Sequence, residues 1–275
     1  MIAKILIDLG AIRRNVGITI MGAAMTEDLV GWTLLFVIVR LAEEGGLHVR
    51  TILEIGFGVG SFLVIAYFWG RPLLRFLMRW VDQHIRLEYA TLTAIALFTF
   101  TYAATTQWLG IHAVFGAFLA GVTVARSPEL RPQTRETIRE FSLGILTPIF
   151  FCIVGLQADF AAVENWRFFW ILLVLAVAGK VIGSLMGGAL GGLRWIESLT
   201  IGIGMNARGA MELVLAVVGF SQGLISRELF SIIVLLAMTT SLMTPPLMRL
   251  CLARLPVTEE EKARMAQTSG GVTTA

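Results

Sequence analysis

The chain has 275 residues, of which 56% are hydrophobic and only 15% are charged, with a mean hydropathy of +0.79. Charged residues make up about a quarter of an ordinary soluble domain, so this composition excludes a soluble globular protein and indicates a polytopic membrane protein. The two cysteines, Cys152 and Cys251, are far apart, which excludes a disulfide framework and a cysteine metal site.

Apolar runs of about 20 residues predict membrane-spanning helices. Eight such runs follow one another along the chain, at 16–41, 52–70, 89–109, 111–125, 142–160, 168–190, 198–220 and 228–252. The run 111–125 is short, and Gly110 beside His112 allows a tight turn, so 89–109 and 111–125 are predicted to form a helical hairpin. A count of seven spans is the alternative.

The first run, Val16 to Leu41, has two adjacent carboxylates at its centre, Glu27 and Asp28. A charged side chain at mid-membrane costs about 2.5 to 3.5 kcal/mol on insertion scales, and such residues usually mark an ion or proton site. We therefore predict that Glu27 and Asp28 bind an ion or a proton. A carboxylate pair that is merely tolerated beside water or a cationic partner is the alternative.

The loops and the tail complete the predicted outline. The segments 71–86 and 126–140 are predicted to lie along the cytoplasmic surface as short helices, and Thr147-Pro148 favours a kink in the run 142–160. Residues 1–256 are predicted to form the transmembrane domain, and the polar residues 257–275 a disordered cytoplasmic tail.

Lys180 lies inside the run 168–190, more than two turns from either end. A lysine at this depth needs a carboxylate, backbone carbonyls or water, with snorkelling to the interface as the alternative. Glycines recur every four residues along the same run, at Gly179, Gly183, Gly187 and Gly191. This spacing predicts a smooth ridge on which another helix packs closely, beside Lys180.

The run 198–220 contains three glycines and the polar residues Asn206, Arg208 and Glu212 within eleven positions. Such a composition predicts a discontinuous helix, with a break near Met205 to Gly209, because broken helices at membrane depth line cavities and direct helix-end dipoles at charged substrates. Arg208 and Glu212 are spaced to pair if the second half is helical. Arg208 is either part of the site or a brace for it.

Most of the 22 lysines and arginines fall in alternate loops, which places both termini in the cytoplasm if there are eight spans. The net charge of +3 therefore reflects this asymmetry and indicates no nucleic-acid partner. His48, His84 and His112 have no metal-ligand spacing, and no nucleotide-binding or hydrolase motif occurs. The sequence predicts neither an enzyme nor a cofactor or metal site.

The residues just described resemble a known family. The segment Gly22 to Trp32 looks like the paired-acid helix of the cation:proton antiporter-2 family of sodium/proton and potassium/proton exchangers. Further segments resemble that family, in the family's order and over nearly the whole chain: Gly116–Gly121, Thr147–Gly155, Ala178–Lys180 and Gly204–Gly209.

The resemblance implies an all-α, sodium/proton-antiporter-like fold and antiport of sodium or potassium against protons by alternating access. It places Asp28 at the position of the family's ion- and proton-binding carboxylate. It places Lys180 at the position of a lysine that pairs with the first acid of the pair, which is Glu27 here. Glu27 is a departure, because family members have Asp or Asn there. A homodimer in a bacterial inner membrane is also implied.

The family has about twelve or thirteen spans in two inverted repeats, and about five of them would precede the Glu27 helix. We therefore expect the chain to hold a partial inverted-repeat fold, either as a fragment or as one piece of a split transporter. The alternative function is a non-transporting subunit in which the buried charges only hold helices together.

Overall fold

In a computed structural model of the chain, the described residues are 2–44, 68, 70–85, 89–109, 113–128, 130–262 and 264. Their regular secondary structure is entirely helical, and they divide into two compact units, Met1–Gly31 with Val154–Ala275 and Trp32–Ile153. Most of the predicted span 52–70 and the predicted turn at Gly110 and His112 lie outside the described residues.

The helices follow one another along the chain as α1 (Ile2–Asp8), α2 (Asn15–Glu44), α3 (Arg71–His84), α4 (Ala90–Trp108), α5 (Ala113–Ala125), α6 (Pro132–Phe141), α7 (Thr147–Gln157), α8 (Trp166–Leu190), α9 (Trp195–Gly204), α10 (Ala210–Ser221) and α11 (Arg227–Leu252). A π-helical turn, Ser142–Leu146, joins α6 to α7, and a 3₁₀ turn, Phe160–Ala162, precedes α8.

Three helical segments among the described residues are long and apolar enough to cross a membrane: Pro132–Gln157, Trp166–Leu190 and Arg227–Leu252. Two shorter apolar helices are α5 and α10. Large apolar side chains of α8, such as Trp170, Val174 and Leu175, are more than half exposed, as expected for a surface in contact with lipid tails. The described part of the chain is therefore all-helical, and its apolar helices are those of a polytopic membrane protein.

The segment 126–140 was expected to form a separate surface helix, but its helical part, α6, continues through the π turn into α7. Pro148 lies just after this turn. Because proline lacks an N–H and its ring crowds the carbonyl four residues earlier, a wider turn at this point relieves the α-helical ladder. The irregularity that Thr147-Pro148 predicts is thus a π turn inside one 26-residue helix.

In the first unit, α11 is the central helix. Half of its apolar window is buried within the protein, against 11% for α8, and α11 contacts α8, α9 and α10. Ile20 of α2, Ile201 of α9 and Met248 of α11 meet in one apolar core. Gly204 contributes to this meeting, because a Cβ there would lie 2.8 Å from Ile20 Cδ1.

Helices α8 and α9 pack backbone to backbone through glycine. A Cβ at Gly202 would lie 2.8 Å from Val181 Cα, and one at Gly188 would lie 1.9 Å from Ser198 Oγ. By contrast, an added Cβ at Gly179, Gly183 or Gly187 would have no neighbour within 4 Å among the described residues. The close helix contact predicted beside Lys180 is present, since a Cβ at Gly202 would also lie 3.3 Å from the Lys180 carbonyl oxygen. Among the described residues it uses Gly202 and Gly188 and none of these three ridge glycines.

The C-terminal segment is folded onto the start of α2. Arg14, only 8% exposed, donates to the backbone carbonyls of Leu252, Leu255 and Pro256 at 3.3, 2.9 and 3.2 Å. Its Nε lies 3.7 Å from Glu261 Oε2. Residues 257–262, which the sequence assigns to a disordered tail, are thus ordered in the structure; residues 265–275 lie outside the described part.

Glu261 is the centre of this contact, which we call the C-terminal clasp (Arg14, Asn15, Thr258 and Glu261). Its Oε1 accepts from the Asn15 backbone N–H at 2.7 Å and its Oε2 from that of Thr258 at 3.0 Å. Burial opposes ionisation of this carboxyl, but the two N–H donors, with Arg14 and Arg264, hold its pKa below the usual range.

In the second unit, α3, α4 and α5 share an apolar core that includes Leu74, Met78, Phe98 and Ala120. Leu74, Met78 and Val81 form one buried face of α3. Its other faces carry Arg71, Arg75 and Arg79, spaced four residues apart. The amphipathic helix predicted at 71–86 is therefore present as α3.

Candidate functional site

The predicted acid pair and the predicted lysine meet in the first unit. Lys180 Nζ of α8 donates to Glu27 Oε1 of α2 and forms an ion pair with it. The Lys180 side chain is 22% exposed and the Glu27 side chain 36%, so both charged groups are partly buried. Asp28 is the next residue of α2 and is also partly buried.

A break in the helix runs between α9 and α10, at residues 205–209, where the sequence predicts it. The last α-helical hydrogen bond of α9 runs from Met205 N–H to the Ile201 carbonyl at 2.9 Å, and a tighter turn follows, from Asn206 N–H to the Ile203 carbonyl at 3.1 Å. The Arg208 carbonyl accepts from Ser241 Oγ of α11 at 3.3 Å. The break is thus held in place by α11.

Asn206 is the most buried polar residue of the break, with 3% of its surface exposed. Its Nδ2 donates to the Gly202 carbonyl at 2.8 Å. Its Oδ1 is buried and has no hydrogen-bond partner within the described part of the chain. A buried amide oxygen without a donor is an available ligand for a hard cation or for water.

Arg208 and Glu212 do not form the helical i, i+4 pair that the sequence suggests, because α10 begins only at Ala210 and Arg208 precedes it. Glu212 instead accepts a hydrogen bond at Oε2 from the Gly209 backbone N–H at 3.0 Å, and so caps the N-terminus of α10. Arg208 remains within electrostatic range of Glu212.

Glu212 is the common neighbour of the site. Its charge acts on Asp28 of α2, on Lys180 of α8 and on Arg208 of the break. Helix α10 lies beside α2 at Gly31, where an added Cβ would lie 1.6 Å from Met211 Cε. A larger residue at position 31 would displace the end of the flexible Met211 side chain, which is the neighbour of Glu212 in the sequence.

Three carboxylates and two basic groups of the first unit are thus linked by an ion pair or by their charges, and the buried amide oxygen of Asn206 belongs to the same unit. Carboxylate and carbonyl oxygens are ligands for hard cations, and a carboxylate is also a proton acceptor. The six residues singled out in the sequence, namely Glu27, Asp28, Lys180, Asn206, Arg208 and Glu212, all belong to this unit.

Sequence reasoning missed the residues that set the spacing of these groups. Gly188 and Gly202 hold α8 and α9 at a distance that a larger residue would not allow. Glycine in an apolar run is a signal for close packing, but it does not show which helix is the partner. The capping role of Glu212 had a local signal, since a glutamate three residues after a helix start commonly caps it.

The profile of the sodium/hydrogen exchanger transmembrane family matches residues 1–250 of the chain. Cation/H(+) antiporter 20 of Arabidopsis thaliana is 31% identical over 264 residues, which cover 89% of this chain and 30% of the plant protein. K(+)/H(+) antiporter 1 of Saccharomyces cerevisiae is 30% identical over 90% of this chain and 29% of the yeast protein.

The Na(+)/H(+)-K(+) antiporter GerN of Bacillus cereus is 28% identical over 88% of this chain and 62% of its own length. The chain thus spans between about a third and two thirds of these relatives. The resemblance to cation:proton antiporters is confirmed. Because the family profile covers residues 1–250, the chain belongs to the sodium/hydrogen exchanger family of transmembrane proteins.

Proposed function

We propose that this protein takes part in the antiport of a monovalent cation against protons, with Asp28 as the carboxylate that binds either one. The observation that carries the proposal is the ion pair between Glu27 and Lys180. It engages the acid next to Asp28, whereas Asp28 itself forms no ion pair among the described residues.

The coupling follows from shared occupancy. A proton on Asp28 removes the negative charge that a cation needs, and a bound cation disfavours the proton. One carboxylate therefore carries one or the other across the membrane when the site is exposed alternately to the two sides. Glu27 and Lys180 act as the charge-pairing residues of this step, and Asn206, Arg208 and Glu212 shape the site at the broken helix.

Sodium and potassium are the proposed substrates, because relatives are named Na(+)/H(+)-K(+) and K(+)/H(+) antiporters. A bacterial inner membrane with both termini in the cytoplasm is the proposed location, and a homodimer the proposed assembly of the complete transporter. The chain spans less than two thirds of the length of these relatives. The antiport activity is therefore proposed for a transporter of which this chain is the whole or one part.

The test is cation-induced dequenching of a pH-sensitive dye in inside-out membrane vesicles. It is run on this chain and, in parallel, on the longest reading frame that contains it. Asp28→Asn is expected to abolish dequenching by sodium and by potassium. The matched control is Asp8→Asn, since Asp8 is an exposed aspartate paired with Lys4, and it is expected to exchange normally. Undiminished exchange by Asp28→Asn contradicts the assignment.

The rival function is a non-transporting subunit in which the charges are structural. It is favoured by the same ion pair, since a partly buried pair also joins helices. The double replacement Glu27→Leu with Lys180→Met separates the two functions. A structural role predicts unchanged function in the double variant, whereas a coupling role predicts that exchange is lost or altered while the protein remains folded.

A further inference from the structure

We propose that α3 and the first half of α4 form a binding site for an anionic phospholipid. Arg75 and Arg79 hold its phosphate, and an apolar groove between the two helices takes an acyl chain. The site lies in the second unit, which contains none of the residues of the proposed exchange site.

The headgroup side is a cleft of about 450 Å³ on the outer face of α3. Arg75 and Arg79, one helical turn apart, line it together with Phe76, Trp80 and Gln83. The arginine fork matches phosphate oxygens in a bidentate way. Both arginines also interact with other groups of the chain. A guanidinium has five N–H donors, so an arginine can hold a phosphate and a group of the chain at the same time.

The acyl-chain side is a second groove, of about 520 Å³, between α3 and α4. Its walls are almost entirely apolar and include Leu77, Val81 and Leu97. Trp80 lines both this groove and the arginine cleft. A single molecule with a charged head and an apolar tail therefore fits both cavities at once, with Trp80 at the junction.

The surroundings favour a membrane lipid as the occupant. Leu73, Phe76 and Trp80 are 51%, 68% and 44% exposed beside the arginines, and a helix with basic and exposed aromatic residues is typical of the membrane interface. Arginines at that level attract anionic lipids. A zwitterionic lipid fills the groove equally well but lacks the net negative charge that the two arginines select.

The test measures lipid binding to the full chain, purified and delipidated in a neutral detergent, by native mass spectrometry. Dioleoyl phosphatidylglycerol is compared with dioleoyl phosphatidylcholine, which has the same acyl chains, and with water-soluble glycerol phosphate. We expect phosphatidylglycerol to bind about tenfold more tightly than phosphatidylcholine, and glycerol phosphate not to compete, because it lacks the acyl chain. Equal binding of the two lipids, or competition by glycerol phosphate, overturns the proposal.

Variants locate the site. Arg75→Gln with Arg79→Gln is expected to weaken phosphatidylglycerol binding about fivefold for each arginine and to leave phosphatidylcholine binding unchanged. Thr93→Phe, which fills the apolar groove, is expected to weaken both lipids. The control Arg167→Gln changes an exposed arginine of the other unit and is expected to bind normally. If the double arginine variant still binds phosphatidylglycerol more tightly than phosphatidylcholine by the same factor, the proposed phosphate site is wrong.

Discussion

Lys180 and Glu27 lie 153 positions apart in the sequence and form an ion pair that joins α8 to α2 next to Asp28. Each side chain is only partly exposed, so loss of one partner leaves the other charge poorly solvated. The pair therefore contributes to the position of the acid-bearing helix, and this contribution is measurable apart from transport.

Removal of one member of this pair is expected to destabilise the protein. Glu27→Gln or Lys180→Met should each cost about 1–3 kcal/mol, between the values typical of exposed and of fully buried pairs. The double variant should cost less than the sum of the two, because no unpaired charge remains. Thermal unfolding in detergent measures all three, and strictly additive losses contradict a direct interaction.

Glu212 has two separable roles, as a helix cap and as a charge. Glu212→Gln keeps an acceptor for the Gly209 N–H but removes the charge that faces Lys180 and Arg208. Glu212→Ala removes both. We expect Glu212→Ala to be less stable than Glu212→Gln by about 1 kcal/mol, and both variants to raise the cation concentration needed for half-maximal dequenching. Equal stability of the two variants argues against the cap.

The contact between α8 and α9 predicts opposite results for two glycines. Gly202→Ala places a Cβ 2.8 Å from Val181 Cα and should cost about 1–3 kcal/mol, because two backbones must separate. Gly183→Ala meets no atom within 4 Å in the part of the chain that the structure describes and should be neutral or stabilising by up to about 1 kcal/mol, since alanine favours helix. Thermal unfolding of the two variants, side by side, tests the packing, and equal effects contradict it.

The C-terminal clasp predicts a pH-dependent contribution to stability. Because the folded pKa of Glu261 is below its usual range, its contribution is complete above the ordinary glutamate pKa of about 4.3 and is lost as the pH falls through the folded value. Glu261→Gln should therefore lower the melting temperature at pH 7. The difference from the parent protein should shrink as the pH falls below about 4.

The control for this prediction is Glu260→Gln. Glu260 is the exposed neighbour of Glu261, so its replacement changes the net charge equally without touching Arg14 or Asn15. A loss of stability in the control as large as that in Glu261→Gln contradicts a specific role for the clasp.

Charges and glycines inside apolar runs were the most reliable signals in the sequence. They predicted the position of the helix break at 205–209 and drew attention to Glu27, Asp28 and Lys180, because such residues are costly in a membrane unless something compensates them. The partner of each helix face was harder to predict. Four-residue glycine spacing marks a smooth face, but it does not show whether that face or an adjacent one, as at Gly188, is occupied.

The clasp illustrates a second limit of local patterns. Thr258 and Glu261 have the spacing of a capping box, and their reciprocal hydrogen bonds form in the structure at 3.0 and 3.3 Å. This local signal predicts a helix start in the segment that composition assigned to disorder. The partner of Glu261, Arg14, is 247 residues away, and no local pattern connects the two.

The clasp also decides where a reporter domain can be attached for topology mapping. A fusion after Pro256 deletes Glu261 and leaves the partly enclosed guanidinium of Arg14 facing only backbone carbonyls. Such a fusion would report the membrane side of a protein in which the contact between the C-terminal segment and the start of α2 is weakened. A fusion after Ala275 retains residues 257–264, so the fluorescence or phosphatase signal of that reporter reads the side of the membrane occupied by the intact fold.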